Sequence, residues 1–125
     1  MVLPGQRQLF AGLARSGRQP NASLVYDIIS VSISHGAPIY NSGSPVGCAQ
    51  IYLGAAAGLL RLLGAEPGPD EGRTEPLARE SLTPLVAAGV RRLESDADGL
   101  AWSLRHAFDR LVEAAAHERT WEHDS

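Results

Sequence analysis

The chain has no lysine and a single cysteine, Cys48, and aromatic residues make up only 6% of it. One cysteine excludes an internal disulfide, together with the Cys-x-x-Cys frameworks of zinc ribbons and of covalent haem attachment. The 11 basic residues are all arginine, scattered along the chain within a net charge of -3. No stripe matches a phosphate backbone, so nucleic acid is not expected as a partner. The longest apolar run, Ala55 to Leu63, is interrupted by Gly58 and Arg61 and falls short of the ~20 residues of a membrane span. Residues 1–20 lack the basic start, continuous apolar core and small-residue cleavage site of a secretory signal. A soluble, cytoplasmic protein is expected, although a precursor trimmed of its leader would read the same. No Gly-Lys-Ser/Thr element and no complete catalytic set is present, which leaves a hydrolase or transferase without a motif. Nor does any cofactor announce itself.

What is present is helical periodicity. A length of 125 residues suits one domain that buries roughly two thirds of its unfolded surface. Asn21 and Ser23 offer N-cap oxygens to a first helix with the stripe Leu24, Ile28, Val31 and His35. Its segment IISVSI, Ile28 to Ile33, alternates β-branched residues with serine and also admits a strand. Pro38 removes a backbone donor, so the helix either ends near Ser34 or continues, kinked, through Tyr40. Ser44-Pro45 then provides a cap followed by a residue whose missing N–H costs nothing in the first turn. The second helix should bury Cys48, Ile51, Tyr52, Ala55, Leu59, Leu62 and Leu63 and stop at Gly64.

The stretch GAEPGPDEGR, residues 64–73, has the composition of a flexible surface linker. Thr74 can cap a third helix through Pro76, Leu77, Leu82, Leu85, Val86, Val90 and Leu93, with a kink or restart at Thr83-Pro84. Asp96 or Asp98 can cap a last helix that buries Leu100, Leu104, Phe108, Leu111, Val112 and Ala115 and carries Arg105, Asp109 and Glu113 as a ladder on the opposite face. The expected fold is all-α, an antiparallel bundle of four main helices. It comprises an N-terminal arm at 1–20, a bundle domain at 21–117 and a charged C-terminal tail at 118–125.

Gly36, Tyr40, Gly43, Cys48, Tyr52 and Ala55 follow a pattern in which small residues let two helices approach and aromatics fill the space between them. On these residues the central stretch, 24–63, resembles a tetratricopeptide-type helical hairpin. Ser44 replaces the acidic residue usual there, and residues 74–117 do not repeat the pattern. The resemblance therefore implies one hairpin packed against another helical pair, and a family role of holding peptides on a concave surface.

Three groups of side chains are candidates for chemistry. Tyr40, Asn41, Ser42 and Ser44 place hydroxyl and amide groups on one turn at a helix N-terminus, where an anion or small ligand could sit; the same residues also serve any tight turn. His35, Cys48 and His106 could ligate a metal if the fold brings them together. Otherwise Cys48 is a small apolar residue at a helix crossing. Trp102 lies off its helix's apolar stripe, so it is either a second wall of the core or an exposed anchor for a protein partner or a second copy. The leading expectation is a small non-catalytic interaction or ligand-binding module, with dimerisation through the Trp102 face as one form. The alternative is a metal or small-ligand site between the first two helices built from His35, Tyr40 and Cys48.

Overall fold

The structure, a computed structural model, describes residues 22–68 and 71–124, with side chains as far as Glu118. The arm at 1–20, the Asn21 cap, the linker tip at 69–70 and the His123 side chain lie outside the described residues. Four helices follow one another: α1 (Ala22–Asn41), α2 (Pro45–Leu63), α3 (Thr74–Ser95) and α4 (Ala97–Asp124). They form an all-α four-helix bundle, with α1 and α3 diagonally opposed and every other pair packed side by side. No strand occurs among the described residues, so the alternation in IISVSI is absorbed into α1.

Both prolines that threatened a break lie inside continuous helices, Pro38 in α1 and Pro84 in α3. Each is exposed, and the carbonyls each leaves without a donor belong to the exposed residues Ser34 and Glu80, where water can take the place of the missing N–H. Helix α1 ends in a Schellman motif: Ser44 N–H donates to the Ile39 carbonyl at 3.1 Å and Gly43 N–H to the Tyr40 carbonyl at 3.0 Å. Gly43 supplies the positive φ of 105° that this motif needs. Ser44 at once caps α2, its Oγ accepting from Gly47 N–H at 3.0 Å, with Pro45 next in line. Asp96 likewise joins α3 to α4. Its N–H donates to the Arg92 carbonyl, and its Oδ1 accepts from Gly99 N–H at 3.2 Å. Ser23, inside α1, is not a cap.

The core is aliphatic and centred on α2, whose Cys48, Ala49, Ile51, Tyr52, Ala55, Ala56, Leu59 and Leu63 are buried together with Leu100, Leu104, Phe108 and Leu111 of α4. Tyr52 and Phe108 meet edge to face with ring centroids 5.4 Å apart. By length and composition α2 is also the one helix among the described residues apolar enough to cross a membrane.

The buried face of α1 is rotated from the expected stripe. It consists of Leu24, Val25, Ile28, Ile29, Ser32 and Gly36, and it leaves His35 exposed. Gly36 explains the rotation, because a methyl group at that position would overlap the Tyr52 ring. Ser32 tolerates burial by returning its hydroxyl to the Ile28 carbonyl at 2.8 Å. In α3 the buried residues are Thr74 and Glu75 in its first turn, then Ala78, Leu82 and Gly89, while Val90, expected in the core, is 72% exposed.

The start of α3 is held from outside the helix. Arg73 is its N-cap residue and makes no side-chain cap, and Thr74 is already helical. In place of a local cap, Glu118 Oε1 on α4 accepts from the N–H groups of Arg73 and Thr74, the latter at 2.7 Å. The segment expected to be a tail from 118 onward is thus helical through Asp124, and Glu118 is a structural cap. The linker is also anchored. Arg79 Nε donates to the Gly64 carbonyl at 2.8 Å, its Nη2 donates to the Leu63 carbonyl at 3.0 Å, and both terminal nitrogens grip the Glu71 carboxylate.

Candidate functional site

The α1–α2 turn and the start of α4 meet at one end of the bundle, and the few aromatic and polar side chains there form a connected cluster. Tyr40 sits on the last turn of α1, where the Schellman motif fixes its backbone. Trp102 sits in the second turn of α4, two positions after the buried Leu100. The rings pack edge to face, centroids 5.7 Å apart at 75°. The Trp102 indole N–H donates to the Tyr40 hydroxyl at 3.0 Å, and that hydroxyl donates to Asp98 Oδ1 at 2.5 Å. The bond to Asp98 favours the protonated phenol and raises the Tyr40 pKa. On its other side Trp102 lies against His106, with centroids 5.8 Å apart.

Behind this pair lies a second, more buried group, with the Tyr52 phenol, the Cys48 thiol and the Arg105 guanidinium lining the same concavity. Burial, reinforced by the neighbouring Cys48, pushes Tyr52 up to about 12, and burial also pushes the Cys48 thiol up. Cys48 is therefore a protonated thiol at neutral pH, 2% exposed, in spite of its place near a helix start. Arg105 Nε donates to Asp109 Oδ1 at 3.0 Å, one turn along α4.

Between the two groups is a pocket of about 140 Å³, lined by Ala37, Tyr40, Asn41, Cys48, Tyr52, Ala101, Trp102 and Arg105. Its inner wall is apolar and aromatic, and it is open on the side where Trp102 is 47% exposed. A wider surface groove of about 550 Å³ runs beside Leu60, Arg61 and Thr83. Its Arg79 is already engaged by the linker carbonyls and Glu71.

The expected site residues fall into two sets. Tyr40, Asn41, Cys48 and Trp102 come together around the pocket. Ser42 and Ser44 do not line it: the Ser42 hydroxyl donates to the Ile39 carbonyl and Ser44 caps α2. The metal-ligand reading of His35, Cys48 and His106 is corrected, because both histidines are exposed and Cys48 is buried. Among the described residues no three of His, Cys, Asp and Glu are grouped to hold a metal ion.

Reading the sequence missed Ala37, Ala101 and Arg105 as pocket residues and gave Tyr52 only a place in the core. A signal existed for part of this set. Ala101 and Arg105 stand four apart and Trp102 three before Arg105, so all three share one helical face; Cys48 and Tyr52 are likewise one turn apart. No protein family, curated protein or solved structure matches the chain.

Proposed function

We propose that the protein is a small non-catalytic binding module whose ligand site is the pocket between α1, α2 and α4. The observation that carries this reading is the pairing of an apolar concavity with aromatic walls, Tyr40 and Trp102, held in place by bonds to each other and to Asp98. Preformed apolar pockets with a few placed polar groups are the usual form of small-molecule sites. Tyr52 and Cys48 serve as its floor and not as nucleophiles, since both hold their protons at neutral pH.

The α1–α2 unit is read as a tetratricopeptide-like hairpin on the same grounds. Gly36 accommodates the Tyr52 ring, and the small residues Cys48 and Ala55 are buried where the helices approach. Association with a protein partner or a second copy is a further reading of the same end, favoured by Trp102 and Val46, each 47% exposed.

The test is fluorescence of Trp102 in a Trp121→Phe background, titrated with a set of small aromatic and aliphatic fragments. Saturable quenching that disappears in Ala37→Leu, a variant that fills the pocket, is the expected outcome. Fragments that leave Trp102 unchanged, with light scattering that shows a concentration-dependent dimer abolished by Trp102→Ala, would move the function to self-association.

A further inference from the structure

We propose that the pocket takes a small aromatic monocarboxylate, its ring against the Trp102 wall and its carboxylate on Arg105. The proposal rests on the pocket being the binding site and adds the chemical class of the ligand.

Size sets the first limit. An apolar protein cavity of about 150 Å³ accommodates a benzene ring, and this pocket measures about 140 Å³ with an open side. A single ring with one small substituent fits, whereas a nucleoside or a disaccharide does not. Ala37 and Ala101 leave the space, and the Tyr40 and Trp102 rings supply edges and faces that favour a planar aromatic body.

Hydrogen-bond demand sets the second limit. The polar groups of the aromatic wall satisfy one another: Trp102 donates to Tyr40, and Tyr40 donates to Asp98. A ligand rich in hydroxyls would find few partners among them. Arg105 differs. It is the one charged residue lining the pocket, and of the five N–H groups of a guanidinium it commits Nε to Asp109. The remaining donors have no acceptor among the described residues. A ligand matched to this wall brings an acceptor and a negative charge, and a charge-assisted bond to Arg105 is about twice as strong as a neutral one. Asp109 binds the guanidinium through Nε alone, so it does not occupy the terminal edge that a second carboxylate would meet. Asn41, exposed at the rim, adds an amide for a substituent on the ring.

The experiment compares benzoate with its neutral isostere benzamide and with the cation benzylamine, by calorimetry and by Trp102 fluorescence in Trp121→Phe protein. Benzoate is expected to bind at least about tenfold more tightly than benzamide, a difference of about 1.4 kcal/mol, and benzylamine not at all. Arg105→Gln should reduce benzoate to the level of benzamide. Should that variant fail to fold, the guanidinium proton signals of the wild-type Arg105, shifted by benzoate and not by benzamide, carry the same information. Equal affinity for benzoate and benzamide, both lost in Ala37→Leu, would overturn the carboxylate class while leaving the pocket as the binding site. Binding of none of the three, or binding indifferent to Ala37→Leu, would overturn both.

Discussion

The two ends of the bundle close in opposite ways. At the α1–α2 turn the closure is by packing: Gly36 admits the Tyr52 ring, Tyr40 rests on Trp102, and the polar groups of the wall are paired. At the start of α3 the closure is by charge. Arg79 ties Leu63, Gly64 and Glu71 together, Glu118 caps Arg73 and Thr74, and Glu75 is buried to 2% exposure with its Oε1 unpartnered beside an equally unpartnered Thr74 Oγ1. The difference teaches where ligand and solution conditions should act. The packed end has a preformed concavity walled by aromatic rings, so it responds to ligands and volume changes. The charged end has its polar groups mostly committed to the backbone, so it responds to pH.

Substitutions that exchange these characters test the contrast. The largest effect is expected at the packed end: Gly36→Val forces a branched side chain into the Tyr52 ring and should lower unfolding stability by about 3 kcal/mol, read as a shift of the urea midpoint at constant slope. A neutral result would mean that α1 and α2 can move apart, and packing would no longer distinguish this end. Next comes Arg79→Met, which strands the Glu71 carboxylate and the carbonyls of Leu63 and Gly64. A loss of about 2 kcal/mol is expected, with faster amide exchange confined to the linker and the first turn of α3. Glu118→Ala, which removes a cap supplied from another helix, should cost about 1 kcal/mol. Glu118→Asp, one methylene shorter, should not restore the lost melting temperature.

Acidity separates the ends more finely. Burial raises the Glu75 pKa, and the neighbouring Glu118 and Glu71 charges add to that. The folded state therefore binds this proton more tightly than the unfolded chain does. Its stabilising share is fully present below the ordinary carboxylate pKa and is lost as pH rises through the raised value. Glu71 runs the other way, because Arg79 holds it low. Its share is present above the ordinary pKa and is lost as pH falls through the depressed one. Glu75→Gln should flatten the decline on the rising-pH side and leave the acid limb in place, as followed by denaturation midpoints from pH 3 to 8. A variant whose pH profile superimposes on wild type would show that Glu75 is not the titrating group. The smallest effect belongs to Tyr40→Phe, which keeps the edge-to-face pair and removes the acceptor for the indole N–H. A shift in Trp102 emission with little change in melting temperature is the expected signature.

Legibility followed the range of the interactions involved. The Ser44-Pro45 start, the Gly64 stop and the α4 stripe were readable because a cap or an apolar face is decided within one or two turns of chain. The face of α1 was misread by one position. A periodicity count weights Val31 and His35 as stripe members and gives Ser32 and Gly36 no weight, yet smallness is what buries those two against Tyr52. Pro38 and Pro84 were ambiguous for a related reason: a proline breaks a helix only if the orphaned carbonyl has no alternative partner, and that depends on which way it faces. In the site, Tyr40 and Trp102 stood out as isolated aromatics. Arg105 did not, because its i,i+4 partner Asp109 already gave it a surface role.

By itself the sequence determined an all-α chain, the positions of its turns and the apolar faces of α2 and α4, since all of these follow from local capping and from periodicity. The tertiary structure alone decided that Tyr40 and Trp102, 62 positions apart, would share a hydrogen bond, that Glu118 would cap a helix 44 residues behind it, and that His35 would be exposed while Cys48 is buried. These depend on how the helices are rotated about their axes when they pack. That rotation is set by the fit of a few small residues, Gly36 above all, against large ones on another helix, and local pattern carries no record of which partner each will meet.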